Sequence, residues 1–238
     1  MRVFGLIGHP LGHSFSQRYF TEKFRREGLA DCRYELFDMP DIVAFPGLLA
    51  REPELCGLNV TIPHKRAVIP YIDALTPEAE AVGAVNCILF RQGRTIGHNT
   101  DIAGFETSLR AFMGEQLHRP GLRALILGRG GAALAAAHVL ARLGIPNETT
   151  GRADFPLSAD RLTAPLLLVN ATPLGMHPHP DTAPDLPYTA LGPEHWVFDM
   201  VYNPETTRFM QLAAEQRAQV CNGLAMLYAQ AEENWRVW

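Results

Sequence analysis

The sequence predicts an α/β protein of two domains, each built on a mainly parallel sheet covered by helices. Three observations carry that prediction. Strand-like and helix-like stretches alternate from residue 3 onward, a polar connection spans 114–121, and beyond it a glycine-rich turn joins a strand-like run at 124–127 to an alanine-rich helix. With 238 residues, 47% of them hydrophobic, the chain is long enough for two compact cores.

The elements come in order. Residues 3–7 read as a short buried strand, and after a loop rich in Gly, His and Pro comes a helix on which Phe15, Tyr19 and Phe24 recur, with Ser14 placed to cap it. Residues 33–39 alternate as a strand, 41–50 read as a helix and 58–62 as a strand, ahead of a segment at 65–72. In such an arrangement loops at the carboxyl ends of strands gather the functional groups, which places Ser14, Thr61 and Lys65 there. Thr76-Pro77-Glu78 supplies a capping hydroxyl, a proline suited to the first turn and an acid that favours a helix N-terminus, and Gly83 ends that helix. Runs at 84–90 and 94–98 flank Gln92-Gly93 as a hairpin, and Asp101 opens a helix carrying Phe105, Leu109 and Phe112, as its cap. Further strands are predicted at 166–169 and 197–200, and a last helix at 223–238 returns to the first domain.

Charge excludes some partners. Twenty-one basic and 25 acidic side chains give −4 without a block of one sign, so neither a nucleic acid nor an anionic membrane is expected. Cys32, Cys56, Cys87 and Cys221 are scattered and read as buried thiols of a reducing compartment. No signal peptide is visible, and the apolar stretch 132–145 is interrupted by His138 and Arg142 and falls short of the roughly 20 residues of a membrane span. The expectation is a soluble, cytoplasmic protein. His177-Pro178-His179-Pro180 lacks further close ligands, so no metal is expected.

Two constellations carry chemistry. A glycine-rich turn between strand and helix lets backbone N–H groups approach a pyrophosphate, and Gly128-Arg129-Gly130-Gly131-Ala132 fits that need in a Rossmann-like setting. About 20 positions onward an acid would hold a ribose 2′-hydroxyl and a basic residue a 2′-phosphate. That region reads Thr150-Gly151-Arg152, and Arg129 adds to the same positive pocket, so NADP is favoured over NAD. The second constellation is Lys65 with Asp101. An ammonium can give a proton to a carbonyl oxygen as hydride reaches the carbon, and its amine can take that proton back in reverse. A nearby carboxylate favours the charged lysine whereas desolvation disfavours it, and the sequence leaves the balance open.

Seven motifs run nearly the length of the chain: Gly8-His9-Pro10-Leu11-Gly12-His13-Ser14-Phe15-Ser16, Asn59-Val60-Thr61-Ile62-Pro63-His64-Lys65, Gly83-Ala84-Val85-Asn86, Asn99-Thr100-Asp101, Asn170-Ala171-Thr172-Pro173-Leu174-Gly175-Met176, Asp199-Met200-Val201-Tyr202 and Gly223-Leu224-Ala225-Met226-Leu227-Tyr228-Ala229-Gln230-Ala231. In that order the chain resembles the shikimate dehydrogenase family. The resemblance implies a substrate-binding domain over 1–103, joined by the helix at 222–238, facing an abbreviated Rossmann-like NADP-binding domain over 104–221 across a cleft. It implies Lys65 and Asp101 as the catalytic pair, with Ser14, Ser16, Thr61, Asn86, Tyr202 and Gln230 contacting a polyhydroxylated, carboxylated ring. It implies that NADP meets Gly128, Arg129, Gly130, Gly131, Ala132, Arg152, Thr172, Met200 and Gly223, the last two near the nicotinamide. The implied reaction is reversible NADPH-dependent reduction of 3-dehydroshikimate to shikimate, on the route to aromatic amino acids. The implied partner is that small molecule alone, with monomer and homodimer both open. Two other readings stay beside it: a quinate/shikimate dehydrogenase preferring NAD, and a catalytically silent nucleotide or metabolite sensor.

The chain departs from the family pattern at several positions. Gln17 stands for a usual proline, Phe20-Thr21 for His-Asn, Cys87 for threonine and Gly151 for asparagine. The stretch 152–170 is also too short for the usual further helix and strand, so an abbreviated adenosine side is expected.

Overall fold

The computed structural model describes residues 1–12 and 14–238; His13, within the first of the seven motifs, lies outside the described residues. The chain divides into two compact units, Met1–Thr100 with Ala231–Trp238, and Asp101–Gln230.

The first unit contains β1 (Arg2–Gly8), α1 (Phe15–Arg26), β2 (Cys32–Asp38), α2 (Phe45–Arg51), β3 (Leu55–Val60), α3 (His64–Ala67), β4 (Ala74–Leu75), α4 (Pro77–Val82), β5 (Cys87–Arg91) and β6 (Arg94–His98). Its six strands lie in the order β2-β1-β3-β5-β6-β4. The β1–β2, β1–β3 and β4–β6 pairs are parallel, whereas β3–β5 and β5–β6 are antiparallel. Alternation along β1 buries both faces of this sheet: Val3 and Ile7 join Phe45, Leu58 and Ile88, while Phe4 and Leu6 join Phe20, Phe24 and Tyr34.

Local chemistry sets the boundaries. Ser14 caps α1, its hydroxyl accepting from the Gln17 N–H, and Lys23, Arg25 and Arg26 fill the last turn, where cations suit the helix dipole. Thr76 caps α4 ahead of Pro77, and Gly83 ends it in the left-handed region at φ 66°. Gln92 and Gly93 both have positive φ, the geometry that joins the tightly paired β5 and β6. Several expected bounds shift. The helix expected at 41–50 is a 3₁₀ turn at Ile42–Ala44 followed by α2, because Pro46 fits only the first turn of an α-helix. The strand expected at 58–62 begins at Leu55 and stops at Val60, leaving Thr61 in the following turn. The strand expected from 84 begins at Cys87.

The second unit starts with α5 (Asp101–Met113), followed by β7 (Arg123–Leu127), α6 (Gly131–Arg142), β8 (Asn147–Thr150), β9 (Leu166–Asn170), β10 (His195–Asp199), α7 (Arg208–Glu215) and β11 (Gln219–Cys221). The last helix, α8 (Leu224–Val237), begins in this unit and ends in the first. Asp101 is the first residue of α5, inside the helix and not its cap. The boundary expected at 103/104 falls at 100/101 because α5 is one uninterrupted helix packed on α6. The final helix joins the first unit only from Ala231, because Gly104 of α5 approaches the Met226 carbonyl and the Gln230 backbone.

The second sheet is wholly parallel in the order β11-β10-β9-β7-β8. An open Rossmann sheet runs 3-2-1-4-5-6, and deleting its third strand leaves this order. The missing piece lies between β8 and β9, where only 3₁₀ turns at Arg152–Asp154 and Ala159–Leu162 occur. Leu157 and Leu162 reach back from that segment into the core with Leu125, Leu127, Leu166 and Leu168, doing the covering that a helix would otherwise do. On the opposite face Phe105 of α5 meets Phe198 of β10 edge-on.

Candidate active site

In the first unit the turns that carry Thr61, Lys65 and Asn86 are bonded to one another through the backbone. The Thr61 N–H donates to Ile7 O at 2.9 Å, the Val60 N–H to Asn86 O at 2.8 Å, and the Val85 N–H to Lys65 O at 2.7 Å. The turn at 61–65 is therefore held on one side by the end of β1 and on the other by the segment carrying Asn86. Close approach at its start needs glycine: a Cβ on Gly8 would stand 2.3 Å from Thr61 Cγ2 and 2.9 Å from Ile62 O. Next to Lys65, the His64 N–H donates to Thr61 O and its buried ring Nε2–H to Met39 O, the carbonyl fixing which nitrogen carries the proton. Lys65 itself is half-buried, the second residue of α3.

A buried polar chain links these turns to α1 and α8. The Ser16 hydroxyl bonds the Tyr34 hydroxyl, and Tyr34 O–H donates to Asn59 Oδ1 at 2.7 Å. Burial pushes the Tyr34 pKa well above its ordinary value, so the phenol keeps its proton and can donate it. Asn59 Nδ2 reaches Asn86 O, Asn86 Oδ1 accepts from the Thr100 N–H at 2.7 Å, and the Thr100 hydroxyl donates to Asn234 Oδ1 at 2.6 Å. Ser16, Asn86 and the turn before Asp101 thus share one network, whose members Asn59, Asn86, Thr100 and Asn234 are each at most 5% exposed. The sequence motifs pointed to Ser16 and Asn86; Asn59 stood in a motif without a role, and Tyr34 and Asn234 stood in none. Burial of polar groups, which identifies these three, has no signature in a single sequence. Ser14 caps α1 beside Ser16, and Asp101 is buried at the first turn of α5.

In the second unit the expected nucleotide residues collect at the carboxyl edge of the parallel sheet, at the β7/β9 switch point where such folds bind ligands. Gly128 has φ 127°, and a Cβ there would stand 2.9 Å from Ala171 O, so only glycine fits. A Cβ on Gly130 would meet nothing within 4 Å, so its small size is unexplained by packing and leaves open space at the N-terminus of α6. Gly131 and Ala132 form the first turn of α6, whose N–H groups and dipole suit a phosphate. These residues fit a dinucleotide. Thr172 is fixed by two bonds to Asn170 Oδ1, from its N–H at 3.0 Å and its hydroxyl at 2.6 Å. Gly223 packs directly on the Met200 carbonyl, which a Cβ would approach to 2.2 Å, so the structure brings Met200 and Gly223 together. Tyr202 is half-buried two residues beyond Met200, and the Gln230 amide donates to Leu227 O.

Asp199 organises this edge. Its buried carboxylate accepts from Asn170 Nδ2, the Val201 N–H and the Thr207 hydroxyl at 2.9, 3.0 and 2.6 Å. Burial pushes its pKa up to about 6, while the three donors pull the other way. At the β8 end Arg152 is exposed, the first residue of a 3₁₀ turn. Arg129 Nη2 pairs with Asp154 Oδ2 at 2.8 Å, and that same oxygen accepts the Gly151 N–H at 2.6 Å. Asp154 escaped the sequence reading, which stopped at Arg152. Its position past a strand end, 26 residues after Gly128, was the signal that could have found it. Among the described residues no group of three or more His, Cys, Asp or Glu could hold a metal ion, and no helix is long and apolar enough to cross a membrane.

The family model described as shikimate dehydrogenase substrate binding domain matches residues 6–88. Shikimate dehydrogenase (NADP(+)) of Symbiobacterium thermophilum is 39% identical over all of this chain and 88% of its own length, in an alignment of 268 positions for the 238 residues here. The corresponding protein of Desulforamulus reducens is 36% identical, over all of this chain and 89% of its own. Shikimate 5-dehydrogenase of Thermus thermophilus, solved in complex with NADP(H) and shikimate, superposes with a TM-score of 0.84 at 33% identity, covering all of this chain and 93% of that one. Matched from end to end in sequence and in fold, the chain belongs to the shikimate dehydrogenase family.

Proposed function

We propose that this chain is an NADP-dependent shikimate dehydrogenase, reducing the ketone of 3-dehydroshikimate to shikimate and running the reverse reaction. The observation that carries this reading is the turn that presents Lys65, tied by backbone hydrogen bonds to β1 and to the Asn86 segment, in a chain 39% identical throughout to an enzyme of that name. A lysine fixed in this way can hold a proton at a defined place, which is what acid–base catalysis at a carbonyl oxygen demands.

The nicotinamide, when bound, supplies or takes the hydride. In the reducing direction Lys65 gives its ammonium proton to the carbonyl oxygen and stabilises the developing alkoxide; in the oxidising direction its amine takes the hydroxyl proton. Asp101 is the second member of the catalytic pair that the family resemblance implies. Ser14, Ser16, Thr61, Asn86, Tyr202 and Gln230 bind the ring, their hydroxyl and amide groups matching its hydroxyls and carboxylate. Gly128, Gly130, Gly131 and Ala132 receive the pyrophosphate, Arg129 and Arg152 the 2′-phosphate, while Thr172, Met200 and Gly223 line the nicotinamide end.

The test is NADPH oxidation in the presence of 3-dehydroshikimate by the wild type and by Lys65→Ala. The wild type is expected to turn over, and the variant to lose about two to four orders of magnitude in kcat with a smaller change in KM. An inactive wild type would favour the silent sensor, and an undiminished variant would remove Lys65 from the chemistry. A second reading is the NAD-preferring quinate/shikimate dehydrogenase, of which the preference for NAD is favoured by the carboxylate of Asp154 at the β8 end. Kinetics with shikimate and quinate against NAD and NADP separate the two.

A further inference from the structure

The end of β8 carries groups for both kinds of nucleotide. In a dinucleotide-binding sheet this is the place where a ribose 2′-hydroxyl is accepted by an acid, or a 2′-phosphate by an arginine. Here Arg129, from the glycine turn, and Arg152, from the turn after β8, bring positive charge. Asp154 brings a carboxylate, folded back so that its Oδ2 sits 2.6 Å from the Gly151 nitrogen and 2.8 Å from Arg129 Nη2. The fold-back is built in, because the Asp154 N–H also donates to Gly151 O at 3.0 Å.

A Cβ on Gly151 would stand 3.1 Å from Cζ, Nε and Nη1 of Arg129, so a larger residue here would make the exposed guanidinium give by a few tenths of an ångström. The Arg129 side chain remains 61% exposed and that of Asp154 34% exposed, so both can meet a ligand.

We propose that Asp154 sets the nucleotide preference of this chain: its carboxylate occupies the anion site formed by Arg129 and the Gly151 N–H, competes with an incoming 2′-phosphate, and offers an acceptor to an unphosphorylated ribose. The proposal rests on the reading of the Gly128 turn as a dinucleotide site. A 2′-phosphate and a carboxylate of like charge cannot both hold Arg129, so NADP must break an ion pair that NAD leaves intact. The selectivity expected from Arg129 and Arg152 is correspondingly reduced, and the chain accepts both nucleotides.

Calorimetric titration of the wild type, Asp154→Asn and Asp154→Ser with NADP+ and with NAD+, without substrate, tests this. Both substitutions remove the charge and keep an oxygen that can accept the Gly151 N–H, and a thermal melt verifies that each variant is folded. The Kd for NADP+ is expected to fall roughly three- to tenfold in both variants while that for NAD+ stays or rises, so the selectivity ratio moves toward NADP+. A ratio unchanged, or moved toward NAD+, in both folded variants overturns the role of Asp154 and leaves the dehydrogenase reading standing. A wild type that binds neither nucleotide overturns the cofactor site, and this inference with it.

Discussion

Asp199 shows how one buried group ties the nucleotide edge together. It joins the end of β9 through Asn170, the Met200 turn through the Val201 N–H, and the start of α7 through Thr207. With its pKa raised by burial from 3.8 to about 6, the folded protein takes up the proton before the unfolded chain does. Stability from this group therefore rises as pH falls from above 6 to below 4, the reverse of an ion-paired carboxylate. Asp31, Asp38 and Glu232, lowered by Arg2, the Leu11 N–H and Tyr19 respectively, run in the ordinary direction and mask it in the wild type alone. The measurement is the difference between wild type and Asp199→Asn in urea-unfolding free energy from pH 7 to pH 4. The wild type is expected to gain up to about 3 kcal/mol relative to the variant over that range. A difference flat with pH would show that the three donors offset burial and leave the carboxylate's pKa where it stands in the unfolded chain.

At the scale of elements, the residue that follows α8 closes the first unit. The Trp238 indole N–H donates to Ile88 O at 3.1 Å, and its ring lies over Gly57, where a Cβ would approach Nε1 to 2.3 Å. The same ring meets Phe4 and Phe20 with centroids 5.1 and 5.2 Å apart. Trp238→Ala should cost about 2–4 kcal/mol, less than a fully buried tryptophan at the upper end of the range, read as a lower urea midpoint by circular dichroism. A loss under about 0.5 kcal/mol would mean that α8 is held by its other contacts. The final helix was legible in the sequence, as were α1, α4, the β5–β6 hairpin and the β7–α6 turn, because each carries its own cap, proline, glycine or periodicity. The short strands β4 and β11 were not, since two or three residues cannot show a period and exist only through pairing with β6 and β10. Nor was α7 anticipated, although Thr207 caps it through the Met210 N–H. The strand before the Thr61 turn was read two residues too far because Ile62, apolar in sequence, is 62% exposed. Motif residues such as Lys65 and Gly128 were visible from their neighbours, whereas Asn234 acquires meaning only from the groups that the fold puts beside it.

At the scale of the whole molecule, the second sheet has lost the third strand of the Rossmann order while keeping the switch point. The Symbiobacterium alignment, 268 positions for 238 residues, requires gaps inside this chain, and between β8 and β9 3₁₀ turns and two buried leucines stand where the Rossmann order has a helix. The sheet survives because Leu157 and Leu162 still cover its apolar face, while polar β8, Asn147–Thr150, is left as an edge with Glu148 paired to Arg161. In the proposed reading, chemistry at the nicotinamide end rests on β9, β10 and Gly223, and the adenosine end rests on the short β8–β9 connection. Grafting the β8–β9 connection of the Symbiobacterium relative in place of residues 152–165 separates these ends. The graft is expected to lower the Kd for NADPH about tenfold, some 1.4 kcal/mol, read by the fluorescence of bound NADPH, and to leave the KM for shikimate within about twofold. A folded graft with unchanged NADPH affinity would show that the short connection already makes every contact the nucleotide needs, and a changed KM for shikimate would show that the two ends are coupled through the sheet.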